Sequence, residues 1–215
     1  MSKANREYRD MVLEIEAEEP SEEKEEERVV TGYATTFDEP YTLIEDKDFV
    51  IREVVDRNAF SDTDMSDVIM QYDHEGRVFA RIKNNTLAVE PNDHGLFIRA
   101  NLGGTELGRQ LYDEIKGGYT DKMSFGFTVR EDEWSKDTDE HGRTVSERRI
   151  LSVGKLFDVS AVSIPANNMT ELSVRNLTDG VIEQMQAERL AAEEKELEQR
   201  RASVIERALK GCTND

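Results

Sequence analysis

The chain has 215 residues, of which 37% are hydrophobic and 35% charged, and its formal net charge is −19 at pH 7. That provides apolar material for one packed domain with polar ends, and an acid surplus that argues against phosphate-rich nucleic acid as a partner. A single cysteine, Cys212, excludes an internal disulfide and cysteine-pair zinc sites, and the lack of an apolar leader or membrane-length run predicts a soluble, cytoplasmic protein with no membrane partner.

Residues 1–28 are expected to form an acidic flexible arm, because the glutamates from Glu14 to Glu27 repel one another and bury little. Within the arm, 11–15 has the composition of an edge strand. From residue 29 the composition becomes that of a folded body. Alternation over 29–37, interrupted by Gly32, predicts a strand with a bulge. Asp38-Glu39-Pro40 turns the chain, 49–55 alternates again, and Arg57-Asn58-Ala59-Phe60 is placed to open a short helix. A β-type run at 68–72 ends on Asp73-His74-Glu75-Gly76. Strands at 78–83 and 86–90 flank Asn84-Asn85, a two-residue turn, and 91–95 turns the chain into a strand at 96–102.

The best helix of the body spans 103–118, with Thr105 as N-cap, Leu107, Leu111 and Ile115 as its apolar stripe, and Gly117-Gly118 as its stop. It leads into 121–129. There Met123, Phe125, Phe127 and Val129 form a core-facing row, and Ser124, Gly126 and Thr128 share the other face. A small serine beside a glycine leaves open space, which suits a nucleophile that a peptide must approach closely. Residues 135–146 read as a polar excursion, followed by strands at 148–153 and 155–164. Pro165-Ala166-Asn167-Asn168 ends the second of these, and 172–175 is a last short strand. Beyond 176 the Glu-, Arg-, Ala- and Gln-rich composition predicts a long helix with a loose apolar stripe. The organisation read from the sequence is an acidic arm 1–28, a β body 29–175 and a charged helical tail 176–215. The fold class is mainly β with flanking helices (α+β), built as a small antiparallel barrel.

Three residues stand out as a candidate constellation. Serine hydrolysis requires a hydroxyl, an imidazole to take its proton, and a third group to orient that imidazole. Of the three histidines, His94 and His141 precede glycines in acidic turns and read as solvated, whereas His74 directly follows a β-type run that can anchor it. Asp158 lies in the apolar strand Leu156-Phe157-Asp158-Val159-Ser160-Ala161-Val162-Ser163-Ile164. Buried there without a partner it would cost several kcal/mol, so it requires one: an arginine such as Arg148 or Arg149, or His74. Ser160 and Ser163 are rival hydroxyls with a structural reading. Metal spacing fails, since twelve residues from Asp137 the chain has Arg148 where a calcium loop needs glutamate. No cofactor or metal is expected.

With His74, Ser124 and Asp158 in this order, the chain resembles the prohead proteases of tailed bacteriophages, which are related in fold to herpesvirus assemblin. The resemblance covers roughly residues 29–175. It is carried by Val30-Thr31-Gly32-Tyr33-Ala34-Thr35-Thr36-Phe37, Arg57-Asn58-Ala59-Phe60, Tyr72-Asp73-His74, Lys122-Met123-Ser124-Phe125-Gly126-Phe127 and the run from Leu156 through Pro165-Ala166-Asn167. It implies Ser124 as nucleophile, His74 as general base and Asp158 as third member, at a position where relatives often have glutamate. It also implies a small β-barrel of the herpesvirus-protease type and a homodimer. The expected substrates are scaffold segments, the delta segment of the major capsid protein, and the protease's own ends. The expected location is the assembling procapsid in the host bacterial cytoplasm, where the helical tail would hold the enzyme among scaffold helices. A second reading keeps the same barrel as a non-catalytic assembly factor.

Overall fold

A computed structural model of the chain describes residues 6–19 and 27–162, with scattered positions between 183 and 201. The chain divides into two units, Met1–Ser173 and Val174–Asp215. The first unit is mostly β. Its strands are β1 (Glu7–Ala17), β2 (Val29–Thr36), β3 (Tyr41–Glu45), β4 (Phe49–Val55), β5 (Ile69–Tyr72), β6 (Glu75–Arg81), β7 (Leu87–Pro91), β8 (Gly95–Asn101), β9 (Lys122–Thr138) and β10 (Thr144–Val162), with one helix, α1 (Glu106–Lys116), before β9.

All ten strands join one sheet in the order β3-β4-β10-β9-β1-β2-β8-β7, with β5 on β10 and β6 on β5. The closed antiparallel barrel expected from the sequence is not formed: among the described residues the path ends at β3 and β7 without joining them. Closure requires every strand to be bonded on both edges. Here the sheet branches instead, because one edge of β10 takes β4 in parallel over its first half and β5 in parallel over its second. The core lies between the sheet's inner face and α1, and includes Val30, Met70, Leu96, Ile98, Leu111, Phe125, Phe127 and Val159.

Several elements differ from the sequence reading for local reasons. The edge strand at 11–15 is part of β1, an interior strand paired with β9 through residues 7–11 and Glu14 and with β2 through residues 15–17. The polar stretch from 135 continues β9 to Thr138 and turns at 139–143, where the Gly142 amide donates to Asp139 at 3.0 Å. The strands predicted at 148–153 and 155–164 are one strand as far as Val162, β10, whose register slips at several points between Ile150 and Asp158, and residues 163–164 fall outside the described residues. Residues 57–60 make turns, Ala59 donating to Asp56 and Ser61 to Asn58, rather than a helix. In α1 the Thr105 hydroxyl caps the amide of Gly108 at 2.9 Å, as expected, but the buried face is Leu111, Tyr112 and Ile115, with Leu107 exposed. A long continuous C-terminal helix is not established. Helical backbone is described only at positions such as 190–191 and 197–201, and the remainder of the tail falls outside the described residues.

The sheet curls enough to bring β1 against β4, which stand three strands apart in the order. Inside the curl, Glu53 receives Arg9 Nε at 2.6 Å and Arg148 Nη1 at 2.9 Å, together with the Tyr41 hydroxyl. Arg148 also donates to Glu7 at 2.7 Å and to Asp132 at 2.5 Å. Burial alone would raise the Glu53 pKa, but Arg9, Arg148 and Tyr41 outweigh it and hold the carboxyl below its ordinary value. A depressed folded-state pKa stabilises the fold above the ordinary carboxylate pKa, and this contribution is lost as pH falls through the folded value. Glu53→Gln leaves two buried guanidinium groups undercompensated and is expected to lower the unfolding free energy by about 3–5 kcal/mol at neutral pH. The gap to wild type should narrow in acid below the ordinary carboxylate range. Denaturant unfolding across pH checks this, and parallel pH–stability curves would refute it.

Candidate active site

β5 and β6 are joined by only Asp73 and His74, whose φ angles are 49° and 59°. Two left-handed residues form the tight hairpin turn whose twist matches the flanking strands. Such backbone is uncommon outside glycine and costs roughly 1–3 kcal/mol per residue, so the surroundings must hold it. Parallel pairing of β5 with β10 does so: Ile69 lies opposite Asp158 and Tyr72 opposite Ala161. The Asp73 amide then donates to the Ala161 carbonyl at 3.0 Å, which fixes His74 over β10.

On its other edge β10 pairs with β9, placing Ser160 opposite Ser124 and Asp158 opposite Gly126. Gly126 is needed for this approach, since a Cβ there would stand 2.4 Å from Asp158 Oδ1. The open face anticipated over Gly126 is therefore filled. Asp158 takes part of it, and Tyr8 Cε1 and Arg6 Nη2 would each lie 2.9 Å from that Cβ.

The imidazole of His74 bridges the two strands. Its Nε2 lies 2.5 Å from Ser124 Oγ, and its Nδ1 is hydrogen-bonded to Asp158 Oδ2. The Ser160 hydroxyl donates to the same Oδ2 at 2.9 Å and lies 3.2 Å from Nδ1. Arg6 donates to the other carboxylate oxygen, Oδ1. The Asp158 carboxylate is fully buried and His74 keeps 6% of its side-chain exposure. A ring protonated on Nδ1 by this arrangement presents its Nε2 lone pair to the serine hydroxyl, which allows a proton to pass from oxygen to nitrogen.

Residues 13–186 match the family model of the caudovirus prohead serine protease. The chain belongs to that family. No curated protein and no solved structure matches it. Membership marks this prohead protease as a serine hydrolase of phage capsid maturation. His74, Ser124 and Asp158 lie inside the matched span, whereas Arg6, Tyr8 and Arg9 precede it.

Of the partners foreseen for Asp158, the prohead protease uses His74 and neither named arginine. Arg148 is held by Glu53, Glu7 and Asp132, and Arg149 binds Asp38 and Asp56 at 2.9 Å each. His94 is exposed and sits edge-on to Tyr33 with ring centroids 4.6 Å apart, and His141 is exposed in the β9–β10 turn. Ser163 and the Pro165-Ala166-Asn167 segment fall outside the described residues. Sequence reasoning missed Arg6 and Tyr8, and underrated Ser160. For Ser160 the signal was available, since period-2 geometry puts it on the face of Asp158. Arg6 immediately precedes β1 and Tyr8 lies near its start, but nothing local says what either side chain meets. Among the described residues no cluster of three or more His, Cys, Asp or Glu side chains is arranged to hold a metal ion.

Gly126→Ala forces the Asp158 carboxylate or Tyr8 to move. The expected result is loss of the His74–Asp158 hydrogen bond, read as a changed Nδ1 proton resonance by NMR, with destabilisation of about 1–3 kcal/mol. An unchanged resonance would contradict the packing described.

Proposed function

We propose that this prohead protease cleaves peptide bonds with Ser124 as nucleophile, His74 as general base and acid, and Asp158 as the group that orients and stabilises the imidazolium. The observation that carries the reading is the single ring of His74 reaching Ser124 Oγ on one side, at 2.5 Å, and Asp158 on the other. In the forward step Ser124 Oγ bonds to the scissile carbonyl carbon while its proton passes to His74 Nε2. The imidazolium then gives that proton to the departing amine. Water, deprotonated by the same nitrogen, hydrolyses the acyl-enzyme. Ser160 holds the carboxylate through its donated hydrogen bond and takes no part in bond making.

The substrates in this reading are scaffold segments, the delta segment of the major capsid protein, and the enzyme's own ends. Cleavage takes place inside the procapsid assembling in the host cytoplasm, with the enzyme as a homodimer. Support for the substrates comes from family membership, which concerns the prohead.

Ser124→Ala and His74→Ala should abolish cleavage of capsid and scaffold chains, and of the enzyme itself, while the thermal unfolding midpoint stays close to wild type. Gel electrophoresis with mass analysis of co-expressed capsid protein measures this, and undiminished cleavage by Ser124→Ala would return the protein to the class of non-catalytic assembly factors. Asp158→Asn leaves the geometry but favours the wrong tautomer, so kcat should fall by about 10³–10⁴. A kcat within tenfold of wild type would remove Asp158 from the proposed triad.

A further inference from the structure

In this structure the prohead protease's nucleophile is closed off by its own chain. Ser124 is fully buried, and its Oγ lies 3.0 Å from the backbone carbonyl oxygen of Arg9, an acceptor that competes with His74 Nε2 for its single proton. β1 lies antiparallel along β9 at this point, with Tyr8 opposite Gly126, Arg9 opposite Phe125 and Asp10 opposite Ser124. Tyr8 stands edge-on against the His74 ring with centroids 4.6 Å apart. The Arg6 guanidinium lies 4.6 Å from the Phe157 ring centroid and 4.9 Å from that of Tyr8, and ends on Asp158. Attack requires a scissile carbonyl within about 3–3.5 Å of the hydroxyl. The Arg9 carbonyl already holds that place.

Resting on the serine-protease reading above, we propose that residues 6–11 are an in-chain latch. They occupy the edge of β9 on which an extended substrate peptide docks as an added antiparallel strand. Exposed strand edges accept such peptides through main-chain hydrogen bonds, and a chain segment seated there excludes them.

Three observations make the segment separable from the fold. The pairing of β1 slips between Met11 and Glu14, so residues 7–11 bond β9 on one side of the irregularity, while on the other Glu14 pairs with Lys122 of β9 and residues 15–17 bond β2. Release of the first half leaves the second in place. Withdrawing Arg9 and Glu7 strands no buried charge: Glu53 keeps Arg148 at 2.9 Å and the Tyr41 hydroxyl, and Arg148 keeps Asp132 at 2.5 Å. The family match also begins at residue 13, so the latch residues precede the segment this chain shares with the family, and the retained pairs at 15–17 lie inside it.

The test is labelling of the full-length protein by a fluorophosphonate probe, read by mass analysis at Ser124, with amide hydrogen exchange at residues 7–11 followed in parallel. The Arg6→Ala/Tyr8→Ala double variant removes the two side chains that hold the latch to the site and leaves Arg9 and its buried ion pairs intact. Arg6→Ala alone serves as the milder variant. If the open form is a minor fraction, of order a tenth or less, labelling should accelerate about tenfold or more, with faster exchange at 7–11. Arg6→Lys, which keeps the charge on Asp158, should stay near the wild-type rate. Labelling of Ser124 that is equal or slower in the double variant overturns the latch and leaves the protease reading standing, with Arg6 and Tyr8 as fixed parts of the site. Faster exchange at 7–11 with no labelling in any form overturns both.

Discussion

Between residues 158 and 161 the backbone of β10 is hydrogen-bonded along both edges, to β9 on one side and to β5 on the other. The geometry of the site follows from that double pairing. Alternation along β10 sends Asp158 and Ser160 to one face. The β9 register places Ser124 beside them, and the β5 register places the turn carrying His74 above them. Each of the three side chains comes from a different element, and none of the elements can shift by one residue without turning its side chain to the opposite face. The strained backbone at Asp73 and His74 is tolerated because the same pairing supplies the Asp73 amide with its partner.

β1 has a different task on each face. Glu7 and Arg9 enter the ionic cluster around Glu53, while Arg6 and Tyr8 lie against Asp158 and His74. The strand therefore couples the curl of the sheet to the closure of the site. A buried cluster of this kind adds little net stability over an apolar core, but it penalises any register that separates its charges. That gives charged residues in an interior strand a physical role in fixing its register.

The chain itself displayed much of this arrangement. Alternation at 123–127 located the strand of Ser124, the Thr105 cap fixed the start of α1, and a carboxylate among apolar neighbours at 158 announced that it needed a partner. Other parts were illegible for identifiable reasons. The glutamate-rich first segment reads as solvated because the groups that neutralise Glu7 and Arg9 lie 141 and 44 residues away, in Arg148 and Glu53. The far half of β9 lost its alternation because its side chains from 134 to 138 are exposed, so no buried row marks the strand. A branching sheet and a closed barrel produce the same succession of short apolar strands, so pairing order had to come from the structure. Which carboxylate Arg6 would meet depended on register, which no local pattern encodes.

The hydrogen bonds that join His74 to Ser124 and to Asp158 span 50 and 84 residues of chain. Contacts of such long range are made late in folding, since their loops must close before they reward the chain. Asp158 and the second edge of the turn's support both arrive with β10, the last strand among the described residues. A polypeptide still emerging from the ribosome, with its serine and histidine already made, therefore lacks the scaffold that would unite them. Synthesis itself delays the meeting of His74, Ser124 and Asp158 until β10 has been translated.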